Sequence, residues 1–378
     1  MKSKKRNYRR TKKRKTKRRE KKGGNVIGKG SDGVILHPSY RCGKENSSNR
    51  DVSKAFFDNK FADIEFDAKS TIEEYHIDNF FVLPITKCNK NTSELSPEDK
   101  TQLTRIFNPL PEKMSMITYP KGEMSAYEYL TKHVNPPHLD SIKQFLEMYE
   151  NVAYAVTRMQ YSDIVHRDFK LENVLFIHDT FKIADITFLS RIEDINYNSE
   201  YLGISRYYPF PSIYGFTALF EYPHKYTSIK DEKLVSYINR ELNNPYFKQQ
   251  TEYSTRLFND YISLFIDSSI KHADATILKS YHFNRGDNTI TNLSILLETE
   301  YGNKLLLFKT YLFLTIDTYS FGISLMKVAV HYFINYKTSN PSLLHKLHSI
   351  IFKCCEFSVK IKDFNEIYKM YREMVKYL

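Results

Sequence analysis

Within eight consecutive residues, His166-Arg167-Asp168-Phe169-Lys170-Leu171-Glu172-Asn173, the chain carries a carboxylate, an ammonium two positions on and a carboxamide five positions on. The flanks limit what this segment can be. Ser141 to Tyr161 places Phe145, Met148, Tyr149, Val152, Val156 and Met159 at intervals of three and four, the period of an amphipathic helix. Val174 to Ile177 and Phe181 to Ala184 are short apolar runs separated by His178-Asp179-Thr180, which predicts a hairpin. A short polar loop is thus held between a long helix and a hairpin, and Asp185 follows the second strand.

Phosphoryl transfer asks for these groups: a carboxylate to orient a hydroxyl, an ammonium near the moving phosphate and an amide oxygen on a metal ion. A charged surface loop is the competing reading, since such loops are normally charged. The segment resembles the H-R-D-x-K-x-x-N catalytic loop of the protein kinase family, and Lys170 resembles its serine/threonine branch. The resemblance implies Asp168 as catalytic base, Lys170 on the γ-phosphate, and Asn173 with Asp185 as magnesium ligands. Asp185-Ile186-Thr187 stands where the family has D-F-G, so the ligand is kept and its two neighbours differ. A β-branched Thr lacks the backbone freedom of Gly, so switching here is in question, and glycine at 187 is expected to retain or raise activity.

Upstream, Gly28-Lys29-Gly30-Ser31-Asp32-Gly33-Val34-Ile35 matches G-x-G-x-x-G. In dinucleotide-binding proteins the third glycine opens a helix; here Val34-Ile35-Leu36 reads as a strand. That resembles the kinase glycine-rich hairpin, in which Gly28, Gly30 and Gly33 let the backbone approach a nucleotide. Asp51 to Phe57 is an apolar run carrying one Lys, Lys54. The next stretch repeats Ile64, Ala68 and Ile72 every fourth residue, a helical pattern. Glu65 is the resemblance's partner for Lys54, with Glu73 and Glu74 as fallbacks. Met114 to Tyr119 resembles the strand entering the interlobe hinge where adenine docks. Ile316 to Gly322, IDTYSFG, resembles the start of the central helix whose Asp, here Asp317, stiffens the catalytic loop.

The gap from Asp185 to Asp317 exceeds the family's usual length. Tyr207-Tyr208-Pro209-Phe210-Pro211 resembles the A-P-E region without its Glu, and residues from about 213 to 310 read as a folded insertion.

The formal charge of +12 lies in one place: residues 2 to 22 hold 15 Lys or Arg and one acid, while the remainder holds 41 basic and 43 acidic residues. A basic tail over 1–23 is expected to be disordered and to meet nucleic acid, an anionic surface or the nuclear import machinery. Simple solubilisation is the alternative. The four cysteines show no metal-ligand spacing and read as reduced. Thr310 to Ile334 contains Asp317, Lys327 and His331, so it reads as a buried helix and not a transmembrane segment.

The expectation is an α+β, two-lobed protein kinase-like fold. A small, mainly β lobe covers 24–119 and a larger, mainly α lobe covers 120–378. ATP and Mg2+ are the implied cofactors and a protein hydroxyl the substrate. The Lys-, Asn-, Tyr-, Phe- and Ile-rich composition and degenerate motifs resemble the kinases of large DNA viruses, which implies a host cytoplasm, nucleus or virion. The altered D-I-T and absent A-P-E keep a pseudokinase scaffold open as an alternative. The tail keeps open a nucleic-acid-binding protein, against which the slightly acidic remainder counts.

Overall fold

The computed structural model describes residues 25–30, 32–40, 42, 49–95, 97–107, 109–134, 138–195, 245–265, 269–283, 305–336, 340–356 and 363–378. The basic tail, the Tyr207–Pro211 stretch and most of the non-helical insertion lie outside these residues. The described chain is α+β, mostly β in its N-terminal part and helical in its C-terminal part.

The N-terminal part is a five-stranded antiparallel sheet in the order β1, β2, β3, β5, β4, formed by β1 (Asn25–Lys29), β2 (Gly33–His37), β3 (Asp51–Phe56), β4 (Thr86–Asn91) and β5 (Lys113–Pro120). Glycine is required at one turn position. A Cβ on Gly33 would lie 2.2 Å from the Ala55 carbonyl oxygen, so only glycine lets β2 lie this close to β3. Helix α1 (Asn59–Glu74) is capped by Asp58, whose carboxylate accepts from the Lys60 amide at 2.9 Å. Its buried face is Ala62, Glu65, Ala68 and Ile72. The expected stripe is corrected at its start, where Ile64 is 38% exposed. Strict fourth-residue spacing drifts around a helix of 3.6 residues per turn. The inward position one residue later holds the carboxylate of Glu65 instead.

Helix α2 (Pro97–Thr104) joins β4 to β5. After β5 the chain enters β6 (Met124–Ser125) and α3 (Ala126–His133), which starts with a reciprocal capping box between Ser125 and Glu128. Helix α4 (Leu139–Tyr161) buries Phe145, Tyr149, Val152, Val156 and Met159 on one face, as its spacing predicts. Then come β7 (Ile164–Val165), the hairpin β8 (Val174–Ile177) and β9 (Thr180–Ile183), and β10 (Ser190–Arg191), which pairs back with β7.

The remaining described helices are α5 (Pro245–Ser263), α6 (Ser269–Phe283), α7 (Leu305–Tyr336), α8 (Pro341–Cys355) and α9 (Phe364–Lys376). Phe258, Tyr261 and Leu278 of α5 and α6 join the same apolar core as α4, α7, α8 and α9. Within α7, Phe313–Ile334 is long and apolar enough to cross a membrane, but 89% of its most apolar window is buried inside the protein. At Gly322 a Cβ would meet Cys355 Sγ at 2.5 Å and Cys354 Cβ at 2.6 Å, so α7 and α8 touch across a bare backbone. Cys354 and Cys355 are buried and take part in no disulfide, as expected of packing cysteines. The reduced reading does not hold for the other two. Cys42 and Cys88 form a disulfide across a Cα separation of 5.4 Å, a proximity that a sequence separation of 46 conceals.

Candidate functional site

A cavity of about 530 Å3 opens between the sheet and the helical part, within the size range of small-molecule sites. Its wall includes Gly28, Gly30, Gly33, Lys54, Glu65, Tyr119, Asn173 and Asp185. Asp168 and Lys170 are joined to it through Asn173. The sequence-derived candidates thus converge from β1 to β9 on one space.

The loop 166–173 is held from behind. Asp317, on α7 and only 4% exposed, accepts the amide protons of His166 at 2.6 Å and Arg167 at 3.0 Å. Arg167 has φ of 66°, a left-handed conformation that a residue with a Cβ adopts only under compulsion. While its backbone amide is held by Asp317, its guanidinium donates to the Phe188 carbonyl at 2.7 Å and to Ser190 Oγ at 3.1 Å. His166 Nδ1 accepts the Asp168 amide at 3.3 Å and Nε2 faces the Ala184 carbonyl at 3.1 Å, which fits a neutral ring protonated on Nε2. Burial lowers the His166 pKa, against the pull of Asp317 and Asp185.

Forward of this support, Asp168 Oδ2 accepts from Lys170 Nζ at 2.6 Å and from Asn173 Nδ2 at 2.8 Å. Asn173 Nδ2 also donates to the Asp168 carbonyl at 2.9 Å, which leaves its amide oxygen as the atom to accept or ligate. Burial raises the Asp168 carboxyl above its ordinary value, against Lys170 and Asn173. Such a carboxylate is a better proton acceptor than a solvated one.

Behind Asp185 lies a buried polar cluster. Lys54 Nζ donates to Glu65 Oε2 at 2.6 Å and to Asp185 Oδ1 at 2.9 Å. Burial opposes the charge on Lys54, but Asp185 and Glu65 outweigh it and hold its pKa above the ordinary lysine value. Burial likewise works against ionised Asp185, and Lys54, then His166 and Lys170, override it and keep that carboxyl low. Asp185 has φ of 60°, so the left-handed residue of the Asp185-Ile186-Thr187 triplet is its first.

No family model matches the chain, and no curated protein matches it either. What the site can do therefore rests on its own geometry. Asp185 and the Asn173 amide are hard oxygen donors on one cavity wall, the chemistry that suits magnesium. Among the described residues no group of three His, Cys, Asp or Glu forms a closed metal cage. Two protein oxygens leave other positions for water and phosphate, which is how magnesium is usually held.

One expectation changes, and two gain detail. Glycine at 187 is no longer expected to help, because Thr187 has no positive φ and its hydroxyl bonds Glu65 and lies 3.2 Å from Asp185 Oδ1. Tyr119 lines the cavity, but its hydroxyl is committed to Glu65. Of the three glycines only Gly33 is demanded by contact within the chain. At Gly28 and Gly30 a Cβ would meet nothing closer than 3.7 Å and 3.9 Å, which leaves bare backbone beside the cavity.

Sequence reasoning missed the link between Glu172 and Lys327. Lys327, buried on α7, donates to Glu172 Oε1 at 3.0 Å and lies 5.7 Å from the ring centres of Tyr127 and Tyr253. A Lys in the middle of the apolar stretch 310–334 is the available signal, because a buried ammonium needs a partner.

Proposed function

We propose that the chain is a divergent serine/threonine protein kinase with a two-lobed protein kinase-like fold, transferring the γ-phosphate of ATP to a protein hydroxyl. One observation carries the reading. Lys54 and Asp185, 131 positions apart in the chain, meet at 2.9 Å in the same cavity wall that holds Asn173, which in turn bonds Asp168. Structural ion pairs are common, but this one joins the phosphate-binding and metal-binding candidates of a single motif set.

In this mechanism Lys54, held by Glu65, engages the ATP phosphates, and the bare backbone at Gly28 and Gly30 lies over the nucleotide. Asn173 and Asp185 would hold Mg2+, whose charge neutralises the phosphate oxygens. Asp168 orients the acceptor hydroxyl through its second oxygen and takes the hydroxyl proton as the new O–P bond forms. The bond from the γ-phosphorus to ADP breaks in the same step, and Lys170 offsets the charge on the transferring group. Asp317 supplies preorganisation: its two bonds fix the loop before substrate arrives.

The test is transfer of labelled phosphate from ATP with magnesium to basic and acidic protein substrates and to the chain itself. Magnesium-dependent transfer supports the reading. Tight, metal-independent nucleotide binding without transfer would replace it with a scaffold on the same fold.

A further inference from the structure

We propose that Thr187 is a positioning residue whose hydroxyl fastens helix α1 to the segment after Asp185, so that the Lys54–Glu65 pair is assembled without an added phosphate group. The inference rests on the kinase reading above and deepens its regulation. In phosphoryl-transfer enzymes of this type the Lys–Glu pair must be in place for turnover, and phosphorylation of the segment following the metal-binding Asp commonly controls it. Such control works by supplying a charged group that orders the segment.

Here residues 187–191 are already tied by uncharged and charged side chains of their own. Glu65 is 1% exposed, and three donors converge on its carboxylate: Lys54 at 2.6 Å, the Tyr119 hydroxyl and the Thr187 hydroxyl. The single proton of Thr187 Oγ1 goes to Glu65 or to Asp185, and its oxygen faces Lys54 Nζ at 3.5 Å. Thr187 is itself 2% exposed, so water does not substitute for these bonds.

A second tie lies nine residues along α1, about 13 Å at 1.5 Å per residue. Glu74 accepts from the Arg191 guanidinium, which also lies 5.1 Å from the Tyr75 ring centre. Between the two ties, Ser190 and Arg191 pair with Val165 and Ile164, and Arg167 donates to Phe188 and Ser190. The Arg191 pair is solvent-exposed and contributes little. The buried Thr187 bond is the one that ties Glu65 directly to the segment after Asp185.

The test uses the full chain, freed of phosphate by a phosphatase and checked by mass. Initial rates give kcat and the KM values for ATP and acceptor for wild type, Thr187→Ala, Thr187→Val and Thr187→Ser, and hydrogen exchange is followed over residues 59–74. The phosphate-free wild type should turn over as fast as before treatment. Thr187→Ala and Thr187→Val should lose about ten-fold to a hundred-fold in kcat, the equivalent of one hydrogen bond to a charged group, with acceptor KM unchanged. Thr187→Ser should recover most of the loss, and exchange over 59–74 should quicken in the Ala and Val variants alone. Wild-type kcat in both variants, or a ten-fold fall of the wild type on phosphate removal, would overturn the proposal. If no form transfers phosphate, the kinase reading fails, and the exchange data then decide alone: unaltered exchange over 59–74 in Thr187→Ala refutes the fastening.

Discussion

Asp317→Asn should loosen the loop that carries Asp168 while leaving the helical core folded. Asp317 accepts two backbone amides, at 2.6 Å from His166 and 3.0 Å from Arg167, and is 4% exposed. The carboxamide keeps one acceptor oxygen and turns an NH2 group toward the other amide, so one buried N–H loses its partner. A charge-assisted bond contributes about 1.5–3 kcal/mol and an orphaned buried donor costs about 1–3 kcal/mol. The Arg167 left-handed conformation, at φ of 66°, adds a restoring strain on the order of 1–2 kcal/mol that the lost bond no longer opposes. Bond loss and the orphaned donor together come to about 2.5–6 kcal/mol, borne by residues 166–168. Part of it is recovered by relaxation, since burial already raises the Asp317 carboxyl and penalises its charge. Urea unfolding should show a loss of about 2–4 kcal/mol, and turnover should fall on the order of a hundred-fold, the scale of an ångström misplacement of a catalytic group. Stability within about 0.5 kcal/mol of wild type, the range of an ordinary surface change, together with unchanged kcat would refute the assignment of Asp317 as the loop's support.

Asp185→Ala should abolish magnesium-dependent ATP binding in isothermal titration; binding that keeps its metal dependence would put the metal elsewhere. The acid limb of the turnover profile should report carboxyls that burial raises, Asp168 with Asp317 and Glu65. Burial raises the Asp168 carboxyl above the ordinary 3.8, so activity falls as pH drops through that raised value, while Asp185, held low by Lys54, stays ionised there. A midpoint at or below 3.8 would contradict the burial argument. Away from the site, His348 accepts from the Tyr261 hydroxyl at 2.7 Å, faces Asp274 at 3.5 Å and has its pKa lowered to about 4, chiefly by burial. The unfolded chain therefore binds the proton first. Stability should be full above 6.5 and fall by on the order of 2 kcal/mol toward pH 4, a trend that urea unfolding of His348→Gln should lack.

Local pattern carried far in this chain, and long-range pairing did not. The period of α4 and the hairpin of β8 and β9 are set by neighbours in sequence, so side-chain spacing alone exposes them. Lys54 and Glu65 are eleven positions apart, and their meeting follows from a strand running into a helix. Thr187 was judged on backbone freedom, but what matters is its hydroxyl. Its partner Glu65 lies 122 positions away, and no local spacing encodes that approach. The same holds for Lys327 with Glu172, and for Cys42 with Cys88 across the sheet. In α1 an alternative stripe through Ile64 competed with the true face, and burial of a charged Glu is the choice apolar patterning is least able to anticipate.

In the proposed mechanism Asp168 accepts a hydroxyl proton during transfer of phosphate from ATP. Single-turnover mixing of the protein with labelled ATP, magnesium and an acceptor protein measures that step directly in wild type and in Asp168→Asn. The amide keeps the shape and can still meet Lys170 and Asn173, but it has no lone pair basic enough to take the proton. Asp168→Asn should lose on the order of 10²-fold or more in the transfer rate with nucleotide affinity nearly intact. Equal transfer rates in the two proteins would remove Asp168 from the chemistry and with it the mechanism built on this loop.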